Sequence, residues 1–273
     1  MAFTFDRDDT VSVCAVCMLS LVAATSFPAE RKNPSAYSKF ASAELKTPSS
    51  MMLPSRWGML ILYVPSAIVG TWIVVSHSRN AAGNSPLWLH PASALLTIHF
   101  WKRVLEVLFV HVYSGSMAVE SLFISVVYTT YTWLIASREV GWNDDSNRLQ
   151  MLCGVAFFVL GTMGNLYHHL LLASLRTVKS SGAKKQAGGS SSSGSYQLPY
   201  GGLFDLVVAP HYFFELLAWA GIALTAQTVI ALLVTAAMTA YLAARSLNTR
   251  DYYRRKFGKK WPEHRRSLIP YVF

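Results

Sequence analysis

Long apolar runs recur along this chain near 10–26, 54–75, 88–112, 118–136, 149–173, 203–221 and 223–244. About 20 mostly apolar residues are needed for a helix to cross the hydrocarbon core of a bilayer. Lipid offers no water to satisfy an open backbone, so such runs must hydrogen-bond internally as helices. Charged residues make up only 14% of the 273, against roughly 25% in soluble domains. Too few remain to cover a water-facing surface. The expected fold is all-α, an integral membrane bundle of about seven transmembrane helices.

The first run is short, yet it does not resemble a cleaved leader. Asp6, Asp8 and Asp9 precede it where a signal peptide carries positive charge, and Arg31 and Lys32 follow it. A retained helix with its N-terminus outside is expected. With seven passes, seventeen Lys and Arg fall on the cytosolic side and four on the outer side. That bias supports a cytosolic C-terminus.

The formal charge of +10 does not point to nucleic acid. Nine of the 24 basic residues lie between Arg245 and Arg266, directly after the last apolar run. That is where headgroup-facing charge belongs, and no finger or basic-aromatic repeat accompanies it. Cys14, Cys17 and Cys153 all sit within apolar runs. The Cys14–Cys17 spacing lacks a second ligand pair, so neither a disulfide framework nor a metal site is expected. The Gly/Ser-rich stretch 179–195 reads as a flexible loop.

An ionisable group within a span is costly unless paired, and is therefore a functional candidate. The third run holds His99, Lys102, Arg103, Glu106 and His111. Glu106 is three residues from Arg103 and four from Lys102, on neighbouring helical faces; this is either a self-neutralising cluster or a site. In the sixth run, His211 and Glu215 are four apart and share a face. The order is wrong for the HExxH zinc motif. His168 and His169 are adjacent in sequence, so they point about 100° apart and rarely share an ion. Asn165, Tyr167 or His168, and Arg176 could line a polar mouth. No GxGxxG turn follows a strand, so any dinucleotide must be held by side chains and helix ends.

Three segments, GNLYHHLLLASLR, SYQLPYGGLFDLVVAPHYFFELLAWAG and YYRRKFGKKWPEHRRSLIPYVF, resemble the C-terminal domain of the steroid 5α-reductases. IHFWKRVLEVLFVHVYSGSM is similar to a helix of the trans-2-enoyl-CoA reductase branch. The resemblance implies a membrane reductase with NADPH between its helices and cytosolic loops, in the endoplasmic reticulum. It divides the chain into substrate-side helices over 1–113 and a reductase domain over 114–273. By position it implies cofactor contacts at Asn165, Arg176, Tyr196, His211, Glu215, Arg245 and Tyr253. His211 stands where many members carry Asn.

On the substrate side, Tyr63 stands where steroid-reducing members have Glu, and Phe100 stands where they have Tyr. Tyr63 is expected to take over carbonyl polarisation, with His99 and Arg103 completing the catalytic set. The implied reaction is NADPH-dependent reduction of a double bond conjugated to a carbonyl in a 3-oxo-Δ4-steroid. A very-long-chain enoyl-CoA or a polyprenol is the alternative substrate. An isoprenylcysteine-type methyltransferase and a non-catalytic lipid-binding protein are the other classes considered.

Overall fold

The computed structural model describes residues 3–35, 51–80, 90–113, 115–142, 147–183 and 197–273, with only the backbone of residues 80 and 176–183. Arg176 therefore lies outside the described side chains, and Tyr196 outside the described residues. Among the described residues seven α-helices form the bundle: α1 Thr10–Lys32, α2 Ser55–Asn80, α3 Pro91–Leu105, α4 Phe123–Ala136, α5 Arg148–Ala183, α6 Pro210–Ala226 and α7 Val229–Phe257. The fold is an all-α membrane bundle. Among the described residues five spans, in α1, α2, α5, α7 and the segment Val119–Ala136, are long and apolar enough to cross a membrane. Large apolar side chains such as Trp57, Ile68, Trp72, Leu149 and Leu160 point outward, as lipid-facing surfaces require.

Several helix ends have local causes. Asp9 caps α1, its carboxylate accepting from the Val11 and Ser12 backbone N–H groups. Hydrogen bonding, first from the Ser12 hydroxyl, holds that carboxyl below its ordinary range. Thr228 caps α7 through the Ala231 N–H. Pro91 and Pro210 sit at the first helical positions of α3 and α6, where a missing N–H costs nothing. For that reason α6 starts seven residues later than the expected 203–221 run and ends at Ala226. The expected seventh run stops at 244, but α7 continues to Phe257, because the basic segment after Arg245 is itself helical. The helical backbone of α5 likewise extends to Ala183, into the stretch read as a loop.

Pro65 lies within α2 and supplies no N–H to the Ile61 carbonyl. Ser125 of α4 replaces that donor, its hydroxyl reaching Ile61 O at 2.7 Å. In lipid an orphaned carbonyl would cost several kcal/mol, so the substitute ties two helices together. Between α5 and α6 the backbones touch. A Cβ at Gly161 would stand 2.4 Å from Ala218 N, and one at Gly221 would stand 2.5 Å from Gly154 O. Small residues at a membrane helix interface permit this approach.

The helices alternate in direction. At one end Thr4 N–H donates to Gln227 O (2.8 Å) and Val140 N–H to Ala226 O (3.1 Å). Arg138 pairs there with Asp9 at 3.1 Å. At the same end Glu139 accepts from the Ala92 and Ser93 N–H groups at 2.8 and 3.1 Å, capping α3 from 47 and 46 residues away. Burial pushes the Glu139 carboxyl up to about 7, against these hydrogen bonds. At the opposite end a short antiparallel ribbon joins β1 (Met52–Pro54) to β2 (Ser116–Ala118), Met52 facing Ala118.

That second end also carries a buried ion pair, Glu30 Oε1 to Arg245 Nη1 at 2.8 Å, which bolts α1 to α7. Asn248 donates to Glu30 O at 2.7 Å beside it. The C-terminal segment folds back under α6, with Val208 N–H on Arg266 O and Arg266 N–H on Leu206 O, both 2.9 Å. Leu268 is fully buried and Arg265 donates to Pro199 O at 2.7 Å. The Leu-Ile-Pro ending is thus a packed element.

Candidate active site

The third helix does not finish as an α-helix. After Leu105 it widens into a π-helical turn, Glu106–Val110, of the kind that frequently marks functional sites. The turn faces α5, and the polar residues of α3 meet those of α2, α5 and α6 there. Lys102 Nζ and Arg103 Nη1 both lie 2.9 Å from Glu106 carboxylate oxygens. His169 Nδ1 approaches Glu106 Oε1 at 3.0 Å. Two cations and one imidazole N–H therefore converge on a single carboxylate.

The other side of the cluster belongs to α6. Asn165 Nδ2 donates to Glu215 Oε2 at 3.0 Å and to His211 O at 2.8 Å, while its Oδ1 accepts from Lys102. His99 Nε2 stands 3.4 Å from Glu215 Oε1. The two carboxylates balance the two cations, which is how four buried charges can coexist in a water-poor setting. A densely cross-linked network of this kind holds its members in place.

Tyr63 completes the site from α2. Arg103 Nη2 donates to its phenol oxygen at 2.8 Å. The phenol is then left with its own proton to give. Around it lies an aromatic wall. Tyr128 stacks on Tyr63 at 6.0 Å, Phe100 tilts against Tyr128 at 5.7 Å, and His99 meets Trp219 edge-on at 5.3 Å.

Of the residues expected to be catalytic or cofactor-binding, the structure brings Tyr63, His99, Arg103, Asn165 and Glu215 into this one cluster. His211 borders it, its ring 5.5 Å from that of His169. Arg245 and Tyr253 are elsewhere. Arg245 is sealed against Glu30, and Tyr253 is buried with Leu198, Val208 and Trp261. His168 takes no part, since its Nε2 accepts from the Leu203 N–H at 3.1 Å. Its Nδ1 therefore donates to Gly164 O at 2.7 Å.

Lys102, Glu106 and His169 are core members of the cluster that the expected site lacked. Lys102 and Glu106 carried a signal, as charged residues inside an apolar run. The pairing of His169 with Glu106 carried none, because the two are 63 residues apart.

A polar cluster deep in an apolar bundle, with a phenol backed by a guanidinium, suits a membrane enzyme. Residues 115–273 match the model of the family described as 3-oxo-5-alpha-steroid 4-dehydrogenase. The chain belongs to that family. It is a multi-pass membrane protein of an oxidoreductase family whose members act on membrane lipids.

Its relatives carry several substrate names. The 3-oxo-5-alpha-steroid 4-dehydrogenase 1 of Macaca fascicularis is 24% identical, over 87% of this chain and 85% of its own length. The polyprenal reductase of Xenopus tropicalis is 29% identical, over 80% of this chain and 73% of its own. The very-long-chain enoyl-CoA reductase of Dictyostelium discoideum is 26% identical over 64% of this chain, which spans only 55% of that relative. Family membership covers the whole C-terminal half, while Tyr63, His99 and Arg103 lie before the matched residues.

Proposed function

We propose that this protein reduces a carbon–carbon double bond conjugated to a carbonyl in a membrane lipid, a 3-oxo-Δ4-steroid, at the expense of NADPH. Support comes from one relationship above all, the 2.8 Å hydrogen bond from Arg103 to the phenol oxygen of Tyr63. In conjugate reduction the β-carbon gains a hydride and negative charge moves to the carbonyl oxygen. A donor already aimed at that oxygen lowers the barrier by about 3–4 kcal/mol in a water-poor site. Arg103 donates to the Tyr63 oxygen and cannot act as a competing acceptor, so the phenol proton is left to face the substrate. The enolate formed at the substrate then takes a proton at its α-carbon, which restores the ketone.

The donor set fits the nicotinamide end of the cofactor. Glu215 accepts one bond from Asn165 and one contact from His99, leaving lone pairs for a carboxamide N–H. NADPH, when bound, supplies the hydride. Glu215 and Asn165 would fix the carboxamide, and the aromatic wall of Phe100, Tyr128 and Trp219 excludes water from the reacting face. Arg176, Tyr196, Arg245 and Tyr253 are assigned by resemblance to the rest of the dinucleotide. For Arg245 this requires a phosphate to share or displace Glu30. By the same resemblance the protein resides in the endoplasmic reticulum membrane, and the bias of Lys and Arg between the loops puts its C-terminus in the cytosol.

The likeness to the Dictyostelium very-long-chain enoyl-CoA reductase favours a second substrate with the same chemistry, an enoyl thioester. Detergent-purified protein given NADPH and either progesterone or a trans-2-enoyl-CoA separates the two readings. Steroid-dependent oxidation of NADPH upholds the first, and thioester-dependent oxidation the second. No NADPH oxidation with either substrate, in folded protein that also fails to bind NADPH, would remove the reductase reading.

A further inference from the structure

The end of the bundle remote from Lys102 and Glu106 holds a second polar cluster that the reductase reading does not use. His77 lies in the last turn of α2, His90 caps α3, and Glu139 follows α4. From His90 to Arg103 is thirteen residues, about 20 Å along the helix. The imidazoles of His77 and His90 lie with centroids 4.0 Å apart, and Glu139 Oε1 is 3.9 Å from His90 Nδ1. One ligand atom from each residue falls within 4.8 Å of the other two. Among the described residues the Nδ1 atoms of both histidines are buried and have no hydrogen-bond partner.

We propose that His77, His90 and Glu139 form a binding site for a divalent transition-metal cation of the zinc type, which clasps the ends of three helices. Two imidazoles and a carboxylate are a recurrent donor set for such ions, at 2.0–2.2 Å and with a fourth position left to water. Around a tetrahedral ion the ligand atoms stand about 3.3 Å apart, so the three groups close by roughly 1 Å. Glu139 is already oriented for the task, because the Ala92 and Ser93 N–H groups and the Ser93 hydroxyl hold its carboxylate. Outer hydrogen bonds of this kind position metal-binding carboxylates.

No Lys or Arg among the described residues pairs with Glu139. Neighbouring Arg138 is committed to Asp9, and Arg148 lies over Trp142. Among the described residues the buried carboxylate has no cationic Lys or Arg, and the imidazole Nδ1 atoms beside it have no hydrogen-bond partner, so a bound cation would answer all three. The contrast with the other compact trio, Glu106, His111 and His169, is instructive. There Lys102 and Arg103 already sit at 2.9 Å on Glu106, and a third positive charge would be repelled.

The test uses the full chain in detergent, freed of any affinity tag and stripped with chelator. Co2+ is titrated as a spectroscopic probe and displaced by Zn2+, and thermal unfolding is followed with and without Zn2+. One equivalent of Co2+ should bind with the visible absorption of a low-coordinate nitrogen–oxygen site. Zn2+ should also raise the melting temperature. His77→Ala and His90→Ala should each weaken binding by at least about tenfold and abolish the Zn2+ shift. His111→Ala should leave both intact. Absence of stoichiometric binding in folded wild-type protein, or Co2+ absorption unchanged in the His77→Ala/His90→Ala double variant, overturns the site. Because His77 is not part of the α3 cap, its variant keeps the test valid even if changes at Glu139 impair folding.

Discussion

Arg103 Nη2 and the Tyr63 phenol oxygen, on helices α3 and α2, stand 2.8 Å apart, with the guanidinium carbon 4.9 Å from the centre of the same ring. One cation thus both hydrogen-bonds and overlies one phenol. Removing the hydroxyl isolates its role. Tyr63→Phe should lower kcat by about 10²–10³-fold on the true substrate while leaving NADPH affinity unchanged. Arg103→Gln combined with Tyr63→Phe should cost less than the sum of the two, because both act on one proton. Steady-state kinetics with purified variants decides this, and unchanged turnover in Tyr63→Phe would falsify the assigned role.

Glu106 is the point on which Lys102, Arg103 and His169 converge. Glu106→Gln leaves two cations facing a neutral amide in a nearly dry site. Loss of one partner from a buried pair typically costs about 3–5 kcal/mol, so this variant should melt well below wild type in detergent. A melting temperature within a degree of wild type would mean that water reaches the cluster.

The bolt between Glu30 and Arg245 separates structure from cofactor binding. Glu30→Gln alone should destabilise the protein by about 3–5 kcal/mol, whereas Glu30→Met with Arg245→Met should recover most of that loss. If Arg245 also holds a phosphate of the cofactor, the stable double variant should bind NADPH much more weakly. Equal affinity in the double variant would confine Arg245 to packing.

Gly161 leaves no room for a side chain, since a Cβ there would stand 2.4 Å from the backbone nitrogen of Ala218. Gly161→Val should push α5 and α6 apart and displace Asn165 from Glu215. The readouts are loss of folded protein on size exclusion or, where folding survives, weakened NADPH binding. Gly115, with nothing within 4 Å of its added Cβ, is the matched control.

Asp9 provides a pH test. Its carboxyl is held below the ordinary value, chiefly by the Ser12 hydroxyl. Its contribution is therefore fully present above the unfolded value near 4 and is lost as the pH falls through the lower folded value. The gap in melting temperature between wild type and Asp9→Ala should be constant from pH 7 to 5 and should shrink below pH 4. A gap unaffected by acid would assign the effect to packing.

Much of this was legible in the sequence because lipid simplifies it. Apolar run length located the helices, and the spacing of Lys102, Arg103 and Glu106 on one turn predicted contacts the structure shows at 2.9 Å. What escaped are relationships that cross the bundle. Nothing local announces that Glu139 caps α3, that Asn165 bridges Lys102 to Glu215, or that Glu30 answers Arg245. Glu30 carried a faint signal as a lone acid at the end of an apolar run, beside two basic residues. The start of α6 was misplaced because an apolar stretch shows no boundary until Pro210 is weighed as a first-turn residue.

The Glu30–Arg245 pair also bears on how the protein is made. The two partners are 215 residues apart. At 5–20 residues per second a ribosome needs about 10–40 s to cover that distance. Until Arg245 has been made, Glu30 lacks the partner it has in the folded protein. The last helix to emerge brings its counter-charge. The contact that joins α1 to α7 can therefore close only after α7 has been made.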